Sequence, residues 1–275
     1  MTARRGLVAW VPAAVLVGAL GAAGALLHCT SNLQLAPVDA GPSNAADAGD
    51  ASHPADASGA ADANTTPPDV GADAQVVKVF DLGTEFSATT NSPGVWRFGY
   101  STDATLDTFA LEAVPIDVGN IHFWHPGADF AGYYPYVAGN ATSATTTDSS
   151  NSWAVRYDQL ALEGSNTGQY AIVQFVAPDA AVYRMQVGFE GLHYNLSSTD
   201  VHVRQGTTAL FDALIDGYGG DPAFHAVVGK SPRQSYQGTV ALAAGDTLAF
   251  AIGYGANKTY NNDTTGLQVL IQELK

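Results

Sequence analysis

Gly245-Asp-Thr-Leu-Ala-Phe-Ala-Ile-Gly-Tyr-Gly-Ala-Asn-Lys-Thr-Tyr-Asn-Asn-Asp-Thr-Thr-Gly-Leu-Gln-Val-Leu-Ile-Gln-Glu-Leu-Lys275 reads as a turn, a strand, a polar loop and a closing strand. Leu248, Phe250 and Ile252 recur at every second residue, as do Leu267, Val269 and Ile271. That spacing puts each set on one face of a strand. Gly245-Asp246 and Asn261-Asn262-Asp263 carry turn chemistry, because Gly accepts positive φ and Asx side chains bond nearby backbone.

Moving back along the chain, the same period is clearest in Val182-Tyr-Arg-Met-Gln-Val-Gly-Phe-Glu190. Tyr183, Met185, Val187 and Phe189 take one face; Arg184, Gln186 and Glu190 take the other. Val201-His-Val-Arg204 repeats the pattern with His202 and Arg204 outward. Further strands are expected at Val77 to Leu82, Val95 to Tyr100, Phe109 to Val114, Ile121 to Trp124 and Trp153 to Tyr157. Others are expected at Tyr170 to Val176, Thr208 to Ile215 and Gly238 to Ala243. Only Thr208 to Ile215 is ambiguous with helix. Short strands separated by Gly, Asn, Asp, Ser and Pro predict an all-β domain over residues 76–275. The architecture they imply is a two-sheet antiparallel sandwich, jelly-roll-like.

The N-terminal part is of a different kind. Arg4 and Arg5 precede an uncharged apolar segment, Gly6 to Leu27, and then comes Leu26-Leu-His-Cys29. A basic start, an apolar run and a boundary Cys resemble a bacterial lipoprotein signal, with Cys29 as the lipidated residue. His28 stands where such signals carry a small side chain. Two other readings are open: secretory cleavage after Ala23-Gly-Ala25, and an uncleaved membrane anchor, since the run reaches the ~20 residues a bilayer needs. All three place the rest of the chain outside the cytoplasm, and the two arginines agree with the positive-inside rule. Residues 30–75 collapse to Ala, Asp, Gly, Pro, Ser and Asn, without an aromatic side chain. Such a segment has nothing to anchor a core and predicts a disordered acidic spacer. In composition it resembles the spacers that follow lipoprotein cysteines in myxobacteria.

The net charge of −15 argues against phosphate backbones as partners. Cys29 is the one cysteine, so no intrachain disulfide forms.

The series Phe175-Val-Ala-Pro-Asp-Ala-Ala-Val-Tyr183, Val187-Gly-Phe-Glu-Gly191, Ser198-Thr-Asp-Val-His-Val203, Leu242-Ala-Ala-Gly-Asp-Thr-Leu-Ala-Phe250 and Asp263-Thr-Thr-Gly-Leu267 is similar to the carbohydrate-binding-module-like jelly rolls of secreted bacterial proteins. Asn91-Ser-Pro-Gly-Val-Trp96 and Phe98-Gly-Tyr100 resemble the opening of those modules. The resemblance implies a jelly roll with a non-catalytic, glycan-binding role and a hairpin at Gly245-Asp246.

Aromatic side chains cluster in Ile121-His-Phe-Trp-His-Pro-Gly127 and Tyr133-Tyr-Pro-Tyr136. The apolar C–H faces of sugars stack on such rings. Trp124, Tyr133, Tyr134 and Tyr136, with His125 beside them, are therefore the candidate ligand residues, and core packing is the competing reading. His122 and His125 lack a third metal ligand nearby. Asn262 and Asp263 lie in an oxygen-rich turn that could hold a structural calcium ion, and the same residues build turns unaided. No Gly-x-Ser-x-Gly, His-Glu-x-x-His, P-loop or dinucleotide fingerprint occurs. The expectation is an exported surface lipoprotein, not an enzyme, that binds glycan or a similar extracellular partner. A structural or adhesion protein of the envelope is the alternative. An unrecognised hydrolase is the third reading, with Glu190 its first residue to test.

Overall fold

The computed structural model describes residues 74–92, 94–127, 134–195 and 198–275. Cys29, the apolar segment before it and Tyr133 lie outside the described residues. So does the Thr30–Asp73 part of the spacer.

The strands are β1 Val76–Asp81, β2 Trp96–Tyr100, β3 Ala110–Leu111, β4 Val114–Val118, β5 Ile121–His125 and β6 Tyr136–Asn140. Next come β7 Thr146–Thr147, β8 Ala154–Val155, β9 Leu160–Glu163, β10 Ala171–Val176, β11 Ala181–Gly191 and β12 Ser198–Gln205. The last are β13 Thr208–Tyr218, β14 Val228–Ser231, β15 Arg233–Leu242, β16 Thr247–Ile252 and β17 Thr265–Leu274. No helix occurs among the described residues. The described residues are all-β and antiparallel throughout, as two large sheets and a small β7–β8 hairpin.

The first sheet runs β15-β11-β17-β9-β6-β5-β4. β17 is its central strand, paired with β11 along its whole length, from Thr265 opposite Gly191 to Leu274 opposite Val182. Its other edge is shared: β9 takes Thr265 to Leu267, and β1 takes Leu270 to Leu274. The second sheet runs β14-β13-β12-β16-β10-β2-β3. Between the two lies the main core. β17 sends in Leu267, Val269 and Ile271; β11 sends in Tyr183, Met185, Val187 and Phe189. Facing them are Leu248, Phe250 and Ile252 of β16 with Trp96 and Phe98 of β2. Phe175 meets Phe80, Trp96 and Tyr183 edge-on at centroid distances of 5.1, 5.3 and 5.6 Å, the arrangement that opposes a positive ring edge to a negative ring face.

Two expectations change in detail. Gly245-Asp246 does not close a hairpin: it carries the chain from β15 in the first sheet to β16 in the second. Gly245, at φ +89°, donates its N–H to Ala177 O at 2.8 Å, and Ala177 N–H returns a bond to Asp246 O at 2.9 Å. The turn thus pins the crossover to the end of β10. Likewise, Phe109 to Val114 is two strands. β3 pairs with β2, β4 pairs with β5, and the chain changes sheets at Glu112-Ala113.

Strand parity decides the fate of the aromatic cluster at Ile121 to His125. Successive side chains of a strand point to opposite faces. In β5, Trp124 points into the sandwich, where it is 4% exposed and donates its indole N–H to Ser87 O at 2.8 Å. Ile121 and Phe123 belong to a separate apolar cluster. Trp124 is therefore a core residue and not a stacking platform. Trp124→Ala should lower unfolding stability by about 3–5 kcal/mol, the cost of emptying a large buried ring, measured by denaturant titration.

Candidate functional site

The first sheet is apolar on both faces where β5, β6 and β9 cross. Val137, Leu160 and Leu162 point into the sandwich; Phe123, Tyr136, Ala138 and Ala161 point away from it. Covering that outer face is the segment around the β7–β8 hairpin, which contributes Trp153 and Val155 to the second cluster, and Leu192 joins from beyond β11. The cover is partial. It leaves a cleft of about 360 Å³, within the range of small-ligand pockets.

Rings form much of its lining: Phe123, Tyr134, Tyr136, Trp153 and Tyr260. Tyr134 and Tyr260 are half-buried and pack at a centroid distance of 4.5 Å, building one wall. Tyr260 lies on the β16–β17 loop, whose start is fixed by Asp200. Asp200 accepts from Gly253 N–H through its backbone oxygen at 2.9 Å and from Gly255 N–H through Oδ1 at 2.8 Å. Gly255, at φ +64°, approaches Ser198 O so closely that a Cβ would sit 1.8 Å from it, so only glycine fits there.

Glu163 ends β9 at the base of the cleft and is 4% exposed. Tyr136 OH donates to its Oε2 at 2.9 Å and Thr264 Oγ1 donates at 2.7 Å. Burial raises its pKa to about 8, opposed by the two hydroxyls and reinforced by the nearby Asp263. Burial also raises Tyr136 well above the ordinary phenol value, and Glu163 adds to this. At neutral pH the base of the cleft is a protonated acid beside a neutral phenol.

At the rim, Asp148 is the opposite case. Its Oδ1 accepts from the N–H groups of Ser152 and Trp153 at 2.6 and 3.0 Å. Its Oδ2 accepts from Ser150 N–H at 3.0 Å, Ser152 Oγ at 3.1 Å and Ser150 Oγ. Burial works against the charge, yet these donors hold the carboxyl below its usual value. Asp148 is thus an ionised organiser of the loop that positions Trp153. His193 also lines the cleft; burial lowers its pKa, and its Nδ1 accepts from Asn195 N–H at 3.1 Å. It is a neutral imidazole with Nε2 protonated.

The candidate residues separate clearly. Tyr134 and Tyr136 line the cleft together. His125 is buried behind it, stacked on Phe123 at 5.5 Å and edge-on to Tyr136 at 6.1 Å. Asn262 lines the cleft, while Asp263 is buried, with Oδ1 accepting from Ser198 N–H at 3.4 Å and Oδ2 without a hydrogen-bond partner. Burial first, and then Asp200, raise the Asp263 pKa to about 7. Among the described residues no three His, Cys, Asp or Glu side chains converge as a metal site would require. Glu190 is outside the cleft and is held by Arg156, by Gln159 at 2.7 Å and by Arg233 at 3.3 Å. Glu163, His193, Tyr260 and Trp153 are among the lining residues that the sequence did not mark as ligand candidates. Leu160-Ala-Leu-Glu163 offered one signal: an apolar run ending in an acid.

The buried acids make stability pH-dependent. Folded Glu163 holds its proton to about pH 8 against an ordinary 4.5, and folded Asp263 to about 7 against 3.8. Because the folded state binds more protons, its advantage is complete below the ordinary values. It is lost as pH rises through the folded ones, at about 1.4 kcal/mol for each pH unit that separates a group's ordinary and folded values. Glu112, also buried, acts in the same direction. Melting temperature should therefore fall between pH 5 and pH 9 (roughly the interval that runs from the ordinary to the folded values), and Glu163→Gln should flatten part of that fall in a calorimetric series.

No family model matches the chain, and no curated protein matches it. Solved structures do. One is a family 35 carbohydrate binding module from Clostridium thermocellum, at 8% identity over 58% of this chain and 98% of that one, TM-score 0.24. A second is a carbohydrate binding module from Cellvibrio mixtus lichenase 5A in complex with cellotriose, at 11% identity over 72% of this chain and 98% of that one, TM-score 0.24. A third is the K3 cleaved adhesin domain of Lys-gingipain from Porphyromonas gingivalis, at 19% identity over 42% of this chain and 75% of that one, TM-score 0.25. At these identities and TM-scores, the likeness carries nothing about the cleft.

Proposed function

We propose that this chain binds carbohydrate, without hydrolysing it, in the cleft on the outer face of the first sheet. The observation that carries the reading is the mixture of groups in one cavity of small-ligand size. Tyr134, Tyr260, Phe123 and Trp153 offer ring surface to sugar C–H faces, while Glu163, Asn261, Asn262 and His193 offer donors and acceptors to hydroxyls. Hydrolysis would need two carboxyls flanking one glycosidic bond, one of them free to act as nucleophile or base. Asp148 has both oxygens committed to its own loop, and Glu190 is neutralised by two arginines away from the cleft. Among the described residues, Glu163 is left without a second carboxyl of that kind.

Titration of the full chain against a panel of soluble polysaccharides tests this. At least one glycan should bind, and Tyr134→Ala or Tyr260→Ala should weaken it roughly five- to thirtyfold, about 1–2 kcal/mol of lost ring contact. Retention of no glycan in the panel, or unchanged affinity in both variants, would remove the reading.

The Arg4-Arg5, apolar run and Cys29 order further supports export and lipid attachment at Cys29, with residues 30–75 as the tether. Cys29→Ser should move the protein from the membrane to the soluble fraction on fractionation. Continued membrane association of that variant would instead favour an uncleaved anchor.

A further inference from the structure

The charge of the cleft narrows its ligand, an inference that rests on the carbohydrate reading. Its described lining residues include two carboxyls, Glu163 and Asp148, and neither lysine nor arginine. Lys258, on the loop that carries Tyr260, is exposed and outside the lining, and Arg156 is drawn away to Glu190. Glu163 is reached by two hydroxyls, both on Oε2, and by no cation among the described residues. A neutral sugar can hydrogen-bond to that carboxyl but draws nothing from the charge it carries once its proton leaves. An ammonium gains from both parts of this cleft: ring faces attract a cation within about 6 Å, and the carboxyl supplies the opposite charge. We propose that the cleft takes a glycan carrying a free amino group, with the protonated amine of an amino sugar seated against Glu163 and bordered by the rings of Tyr134, Tyr136 and Tyr260.

Proton linkage follows. Unliganded Glu163 keeps its proton to about pH 8; an ammonium beside it favours the carboxylate and displaces that proton. The ionisable groups around Glu163 do not substitute for the ligand. Tyr136 of β6 is a neutral phenol, Asp263 before β17 adds negative field, and across the cleft His193 is neutral while Asp148 is anionic. On the acidic side of neutrality, where the amine is charged and Glu163 protonated, amine binding should therefore release protons and strengthen as pH rises, until the amine itself loses its charge.

The test is calorimetric titration of the full chain with a glucosamine oligosaccharide, its fully N-acetylated counterpart, a glucose oligosaccharide of equal length and tetramethylammonium, in buffers of differing ionisation enthalpy. The glucosamine oligomer should bind at least about tenfold more tightly than the acetylated one, with proton release, and Glu163→Gln should abolish that preference. Equal affinity for the two oligomers, or a preference that survives Glu163→Gln, overturns the amine assignment and leaves glycan binding standing. Binding of no sugar overturns both readings, and binding of tetramethylammonium alone assigns the cleft to a non-sugar ammonium against this proposal. Should Glu163→Gln fail to fold, the wild-type chain decides: amine binding without proton release on the acidic side of neutrality, where the amine is fully charged, overturns the inference.

Discussion

The first sheet has to be covered on both faces, and the rest of the structure depends on that constraint. β17 is bonded on both edges and sends Leu267, Val269 and Ile271 toward the second sheet. Alongside it, β9, β6 and β5 send one set of side chains into the sandwich and the alternate set outward, and the outward set is also apolar. Exposed, that outer surface would be an aggregation hazard. The segment around the β7–β8 hairpin covers it, and the cleft is the part of the outer face the cover leaves open. The cleft is a consequence of architecture: the layer that hides Ala138 and Ala161 stops short of closing over Tyr134, which stays half-buried.

This explains which parts of the fold could be read in the sequence. Strands with one apolar and one wet face, such as β11, alternate with period two, and Val182 to Glu190 declares itself. Leu160-Ala-Leu-Glu163 does not alternate, because both faces of β9 are buried. Period two is then invisible, and a four-residue run is too short to tell strand from anything else. β6 is hidden for the same reason. The two-sheet antiparallel sandwich was legible from strand number, spacing and turn chemistry. The assignment of Gly245-Asp246 to a crossover was not, since a Gly-Asp turn serves a hairpin and an inter-sheet step equally well.

The gathering of rings was legible in composition, and the strand face each ring takes was not. Phe123, Tyr134 and Tyr136 do gather at the cleft, but Trp124, the largest ring of the set, faces the sandwich while Phe123 faces the cleft. A shift of one residue exchanges the faces of a strand, and a sequence with bulky groups at consecutive positions does not say which face is which. Tyr260 and Glu163 were out of reach for another reason. They join the site from strands and loops roughly a hundred residues apart in the chain, through pairings of β17 with β9 that no local pattern records.

The chemistry of the cleft follows from the same burial. Glu163 sits on the outward parity of β9, so it is neither in the sandwich nor in solvent, and desolvation keeps its proton on. Had it pointed inward, it would resemble Glu112, a buried acid with no route to a ligand. Had the cover been absent, it would be an ordinary surface carboxylate, ionised and screened. Only beneath a partial cover does a carboxyl become both desolvated enough to hold its proton and open enough to exchange that proton for a cation. Asp148 completes the contrast. The two acids of one cleft have pKa values pushed apart, one by burial and the other by five donors from its own loop. In a hydrolase such a split would mark acid and base. Here the ionised member is spent on holding Trp153 in place, so among the described lining residues the split leaves a single exchangeable carboxyl, set among aromatic rings.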